Sequence, residues 1–290
     1  MCKVKVWKLK KRVRKGIYAL ALTTLALAYF SPVLWMLSTS LKPTLVAITE
    51  NPPRWIPRPF TFDNFRKLFA YQDVGIRIID CFFRSLVVAV AYATLVLVVS
   101  IPCAYAFARF RFPGRQILFW GYVATLAFPY ALYLIPNFFI VKSLRLLDTM
   151  WALILPGLGG TFGVFMLRQY MLGIPHDLED AAWIDGCSKL RFMLVIAVPL
   201  TRPAILVLWL MSFLSSWNSL FWPLIVLNKP TNFTLPIAIV RLQPSEWGDL
   251  MRGIGVMMAA SFFAVGPALA LFIAFRNKLI KGISLGANGK

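Results

Sequence analysis

Four carboxylates, Asp177, Glu179, Asp180 and Asp185, crowd into the stretch HDLEDAAWIDG beside the only histidine of the chain, His176. Carboxylates next to an imidazole are the raw material of general acid–base catalysis or of a metal site. A metal site needs three or four converging ligands, and no second His or Cys stands close by. No G-x-S-x-G turn supplies an activated nucleophile. No G-x-x-x-x-G-K-[ST] loop cradles phosphate, and the closing GANGK has the wrong spacing for one. Cysteines at 2, 81, 103 and 187 make neither a C-x-x-C pair nor a disulfide framework. The sequence thus predicts no enzyme, no metal and no cofactor bound by this chain, and the acidic island must be explained by its setting.

That setting is apolar. Soluble domains are near half apolar and a quarter charged, whereas this chain is 59% hydrophobic and 14% charged, with a mean hydropathy of +0.72. About 20 apolar helical residues cross a hydrocarbon core. Six segments qualify, near 17–41, 85–108, 117–141, 150–167, 203–227 and 253–275. The expected fold is an all-α integral membrane protein of six transmembrane helices. The basic head KVKVWKLKKRVRK resembles that of a signal peptide, but the apolar run after it is too long and lacks a cleavage site, so it reads as a retained anchor.

Net charge +20 raises nucleic acid as a partner, but the distribution argues otherwise. With the N-terminus inside, segments 1–16, 109–116, 168–202 and 276–290 are cytosolic and carry 19 basic and 4 acidic residues, against 12 and 7 on the other side. Basic residues gather on the cytoplasmic side of membrane proteins. This orientation, with both termini cytoplasmic, accounts for the charge without nucleic acid. The spans hold no ionisable residue at depth, where ion-coupled carriers usually keep one. Energy is expected to enter from outside them.

The island itself reads as a short helix on the cytosolic face. Pro175 suits a first turn, the acids after it complement the helix dipole, Ala181 and Ala182 are small helix formers, and Gly186 ends the helix. A second helical stretch, CSKLRFMLVIAV, leads to Pro199. A helix lying on lipid would favour Lys and Arg on its polar face; the acids favour a basic groove on a protein partner.

DAAWIDGCSKLRFMLVIAVP resembles the cytoplasmic loop of bacterial ABC importer permeases, whose pattern is E-A-A, three residues, G, nine residues, I, one residue, L-P. Asp180, Ala181, Ala182, Gly186, Ile196, Val198 and Pro199 fall at that spacing, with Asp in place of Glu and Val in place of Leu. FRFPGR, LIPNFFIVKSLRLLDT, SSWNSLFWPLIVL and IKGISLGANGK are similar to the carbohydrate-importer branch related to the smaller maltose-transporter permease. The resemblance implies a type I ABC importer permease in a prokaryotic inner membrane. It implies a cytosolic N-terminus 1–16, a permease domain 17–275 with outer loop 42–84 and coupling loop 168–202, and a cytosolic tail 276–290. It implies a second permease, two cytosolic ATPases that use ATP and Mg, and an extracytoplasmic sugar-binding protein. Glu179, Asp180, Ala181, Ala182, Asp185, Gly186, Ile196 and Pro199 would then couple the chain to the ATPase.

A sugar pathway needs aromatic faces and hydrogen-bonding groups in an apolar wall. Tyr130, Tyr133, Asn137, Ser215, Ser216, Trp217 and Asn218 are the candidates. The same residue types also form interfacial belts and helix-packing bonds, and both roles stand at this level. Pro102, Pro129, Pro136, Pro156 and Pro223 fall within spans, and Gly159 and Gly163 make a G-x-x-x-G; these suit kinks and close packing, or hinges. In the outer loops Arg54, Trp55, Arg58, Arg66, Arg241 and Trp247 suit contact with a binding protein or simple capping of the helices. Alternatives to a sugar are glycerol phosphate or another small polar solute, and alternatives to a permease are a membrane enzyme or scaffold.

Overall fold

The computed structural model describes the backbone of residues 2–70, 76–242 and 247–287, with side chains except at 2–13, 44, 45, 48, 247–252 and 277–287. All described elements are helical. The first seven are α1 Cys2–Ser40, α2 Thr44–Thr49, α3 Asp63–Ala70, α4 Ile78–Arg109, α5 Arg115–Ala124, α6 Tyr130–Ser143 and α7 Met150–Ile154. The rest are α8 Thr161–Leu172, α9 His176–Ile184, α10 Lys189–Phe192, α11 Val198–Leu200, α12 Arg202–Trp217, α13 Phe221–Val226, α14 Leu235–Arg241 and α15 Trp247–Ala287.

Arg14–Ser40, Ile78–Arg109 and Gly253–Arg276 are long and apolar enough to cross a membrane as single helices. Three further candidates qualify as bent pairs: Arg115–Ala127 with Tyr130–Ser143 (103°), Met150–Gly157 with Thr161–Leu172 (48°), and Lys189–Leu200 with Arg202–Trp217 (79°). Unbroken spans at 117–141, 150–167 and 203–227 are therefore corrected. The first breaks before Pro129, which forces Phe128 to extended backbone (φ −81°, ψ 127°). The second passes into a 3-10 turn, Leu155–Gly157, at Pro156 and bends between Gly157 and Thr161. The third segment ends its helix at Trp217 and resumes as α13, while α12 is bent against the stretch that precedes it.

The chain forms two compact units, Met1–Ala70 with Arg241–Phe263, and Tyr71–Val240 with Ala264–Lys290. In the first, the end of α1 is tied off by buried polar groups. Asn64 on α3 donates to the carbonyls of Ser40 and Lys42 (2.8 and 2.7 Å). Lys42, itself buried, pairs with Glu50 at 2.7 Å and lies over the Trp35 ring. The helix expected at FDNFRKLFA is α3.

In the second unit α4 packs mainly on α12 and α8. Its buried stripe includes Ser85, Ala89, Ala93, Ser100, Ala104 and Ala108, small side chains that let the helices approach closely. Of the G-x-x-x-G pair, Gly163 is the packing residue. A Cβ there would stand 2.9 Å from the Ser100 hydroxyl and 3.0 Å from Leu208, whereas one at Gly159 meets nothing. Freed carbonyls at the breaks are met by side chains. Tyr133 Oη donates to Thr125 and Phe128, Tyr122 Oη to Gly159, and Trp222 Nε1 to Ala152.

Asp148, in the turn after α6, fastens that turn to the one after α13. Its carboxylate accepts from the backbone N–H groups of Asn228 and Lys229 (2.5 and 2.8 Å). Its own backbone is left-handed (φ 59°), a conformation that Asp and Asn tolerate better than other side chains. Burial works to raise its pKa, but the N–H groups of Lys229 and Asn228 outweigh burial and hold the carboxyl below the usual carboxylate range. Asp148→Ala should cost on the order of 2 kcal/mol, from the lost bonds and the left-handed backbone together, read as a lower thermal midpoint in nanodiscs. A depressed folded pKa gives stability that is present above the unfolded carboxylate pKa and lost as pH falls through the folded one. The gap between wild type and Asp148→Ala should therefore narrow under acid. A gap that is constant with pH would count against the carboxylate.

Candidate functional site

The acidic island folds as α9, with Pro175 as its N-cap residue (φ −56°, ψ 140°) and Asp177 and Glu179 in the first turn. Gly186 ends it in a left-handed conformation (φ 74°). The Cys187 N–H reaches back to the Ala182 carbonyl (2.8 Å) and the Gly186 N–H to that of Trp183 (3.0 Å). This is the two-bond Schellman closure, which satisfies the last carbonyls of a helix. Ser188 then caps α10 by accepting the Arg191 N–H (3.3 Å). A π-helical stretch, Met193–Ala197, follows directly. Pro199, with no N–H to give, stands just beyond it.

Only part of the island faces outward. Asp177, Asp180, Ala181, Ile184, Asp185 and Gly186 are exposed, while Glu179 and Ala182 are buried. Ala182 joins an apolar cluster with Ala104, Tyr105, Leu167, Met171 and Phe192, and Ile196 packs against that cluster. Pro199 is half-buried. Glu179 meets Arg109, the last residue of α4, at 3.2 Å, with side chains only 6% and 2% exposed. The same guanidinium donates to the carbonyls of Met171 and Ile174, where α8 runs out. His176 Nδ1 lies 3.2 Å from it. One arginine thus holds the end of α4, the end of α8 and the start of α9 together. The four acids are contiguous enough in sequence to suggest one outward cluster, and the inward partner of Glu179, Arg109, stands 70 residues away and leaves no local signal.

A second feature of the same unit is a cavity of about 610 Å³. Tyr130, Asn137, Ser215, Ser216 and Asn218, all singled out in the sequence, line it. Tyr133 and Trp217 do not. Tyr133 is spent on the α5–α6 break, and Trp217 is buried with Nε1 donating to Ala264 (3.1 Å) and its ring stacked on Phe213. Lining residues the sequence did not suggest include Tyr92, Trp222 and Thr234. Arg241 is exposed at the end of α14, and the side chain of Trp247 lies outside the described residues.

Residues 96–283 match the family of binding-protein-dependent transport system inner membrane components. The arabinooligosaccharides transport system permease protein AraQ of Bacillus subtilis is 34% identical over 276 residues, 93% of this chain and 96% of the relative. The sulfoquinovosyl glycerol transport system permease protein SmoH of Agrobacterium fabrum is 31% identical, covering 88% of this chain and 87% of its own. A chain of a bacterial ABC transporter involved in the import of the acidic polysaccharide alginate shares the fold with a TM-score of 0.79 at 20% identity, covering 92% of this chain and 96% of that one. The chain is an ABC importer permease, a member of the binding-protein-dependent transport system inner membrane component family. That membership sets aside the membrane-enzyme and scaffold alternatives.

Removing one partner of a buried ion pair leaves the other charge uncompensated, at about 3–5 kcal/mol. Arg109→Ala should therefore release α9 locally. Hydrogen exchange in nanodiscs should rise across 171–192 while α4 and α12 stay protected. The double replacement Arg109→Met with Glu179→Met should be milder than Arg109→Ala, since neither charge remains. Unchanged protection of 171–192 in Arg109→Ala would remove the pair from the account.

Proposed function

We propose that the chain is one of two permease subunits of a sugar importer in a prokaryotic inner membrane, with α9 as the joint that receives the ATPase. The observation that carries this reading is the split of α9: Glu179 and Ala182 anchor it inward, and Asp180, Ala181, Asp185 and Gly186 face out. Small residues and acids on the open face suit insertion into a basic cleft. In this reading the first two bent pairs each count as one span and the fifth span begins with α12, with Lys189–Leu200 left in the cytosolic coupling loop, giving six spans with both termini cytoplasmic, and residues 1–16, 17–275 and 276–290 form the basic head, permease domain and tail. Relatives named for arabinooligosaccharide and diacetylchitobiose uptake support the sugar. An alginate transporter solved with its periplasmic protein, which shares the fold at a TM-score of 0.61, supports delivery by a binding protein. Two ATPase subunits supply ATP and Mg chemistry, which this chain has no loop to perform.

Gly186→Val and Asp180→Arg test the joint. A Cβ at 186 would meet nothing within the chain, so the internal cost of Gly186→Val is confined to the left-handed backbone, roughly 1–2 kcal/mol. Gly186→Ala carries much of that cost with less bulk, so a larger loss in the valine variant reports the approaching partner. Both Gly186→Val and Asp180→Arg should insert normally yet lose binding-protein-stimulated ATP hydrolysis and sugar uptake. Wild-type stimulation and subunit stoichiometry in both would place the joint elsewhere. On the outer side, replacing Arg241 and Trp247 together by alanine should weaken that stimulation while the subunits still co-purify; an unchanged response across a binding-protein titration would clear those two residues.

A further inference from the structure

The polar cavity carries information about its occupant. Its volume, about 610 Å³, falls within the roughly 300–1,000 Å³ of small-molecule sites. Among its lining residues none is charged. Arg84, next to the lining residue Ser85, donates instead to the Phe233 carbonyl at 2.9 Å. Tyr92 and Trp222 each donate to a backbone carbonyl, Gly157 and Ala152, so both contribute mainly ring surface.

Ser85 Oγ accepts the Leu235 N–H at 2.7 Å, but another lining hydroxyl is in the opposite condition. Thr234 is 5% exposed, lines the cavity, and its Oγ1 has no hydrogen-bond partner. A buried hydroxyl without a partner is costly, and native structures rarely keep one without a reason. Hydroxyls and carboxamides both donate and accept, and Asn137, Ser216 and Asn218 bring more of them to the same wall. Such a wall complements a solute that is itself covered in hydroxyls. It is a poor host for an ion, because a phosphate, sulfonate or carboxylate desolvated with no counter-charge is strongly disfavoured.

We infer that this cavity is a binding subsite, within this chain, for an uncharged hydroxyl-rich sugar unit, and that it disfavours the anionic solutes handled by some relatives. The inference rests on the importer reading above. Thr234→Val tests it because the two possible roles of that hydroxyl diverge. Removing an unpartnered buried Oγ1 should leave thermal stability unchanged or raise it. Removing a ligand contact should raise the transport KM roughly five- to tenfold. The complete importer, purified with its partners through a tag on this chain, is reconstituted and given labelled arabinobiose, diacetylchitobiose, maltose, glycerol 3-phosphate and digalacturonate. Expected is uptake of a neutral sugar alone, with KM raised in Thr234→Val and in the milder Ser216→Ala. Uptake of either anionic probe, or wild-type KM in both variants, overturns the subsite. Absence of binding-protein-stimulated ATP hydrolysis in the wild-type complex would instead remove the proposed sugar-importer function beneath it.

Discussion

A helix interrupted inside hydrocarbon frees backbone carbonyls that no water can reach, and each must find a partner within the protein. That constraint organises the second unit. Breaks at Pro129 and around Pro156 would be untenable on their own. They persist because Tyr133, Tyr122, Tyr92 and Trp222 aim phenol and indole donors at the carbonyls of Phe128, Gly159, Gly157 and Ala152. The aromatic content of the chain is thus partly a hydrogen-bonding device. By repairing the breaks these residues also shape the cavity, since helix ends and turns, not continuous helix, form much of its wall.

Charge is handled by the opposite rule. Arg109 ends α4 and neutralises Glu179 from a different element, and Arg168, near the end of α8, lies 3.9 Å over the Phe119 ring while donating to the Phe107 carbonyl. These cations are held by carboxylate, carbonyl or aromatic face, and no charge lines the cavity. In the function proposed above, the uncharged cavity wall would face the solute and the Arg109–Glu179 pair would lie under the surface that meets the ATPase, so the two surfaces would be chemically separate.

Much of this was legible in the sequence. The apolar segments gave an all-helical membrane chain, and Pro175, the two alanines and Gly186 bounded α9 correctly because capping and left-handed turns are local properties. The continuity of three spans was misjudged. Hydropathy averages over a window and registers proline only weakly, whereas the break depends on a donor arriving from elsewhere in the chain. The inward turn of Glu179 was invisible for the same reason, since its partner lies on α4. Among the pathway candidates, Trp217 and Tyr133 were chosen for their chemistry, and that chemistry is committed to backbone carbonyls. Thr234 and Trp222 reach the cavity only through the packing of α13 and the segment before α14.

The inward anchor of α9 has a consequence for recognition. A short surface helix held by one face alone could roll about its own axis, and a partner would have to select one rotational setting, losing that entropy on every encounter. The Arg109–Glu179 pair and the seat of Ala182 fix the roll when the chain folds. The loss of freedom then falls on folding and not on association, so the face proposed above to meet the ATPase is preorganised. A helix so oriented can be met, released and met again with little reordering, which is what the proposed coupling role would require of it.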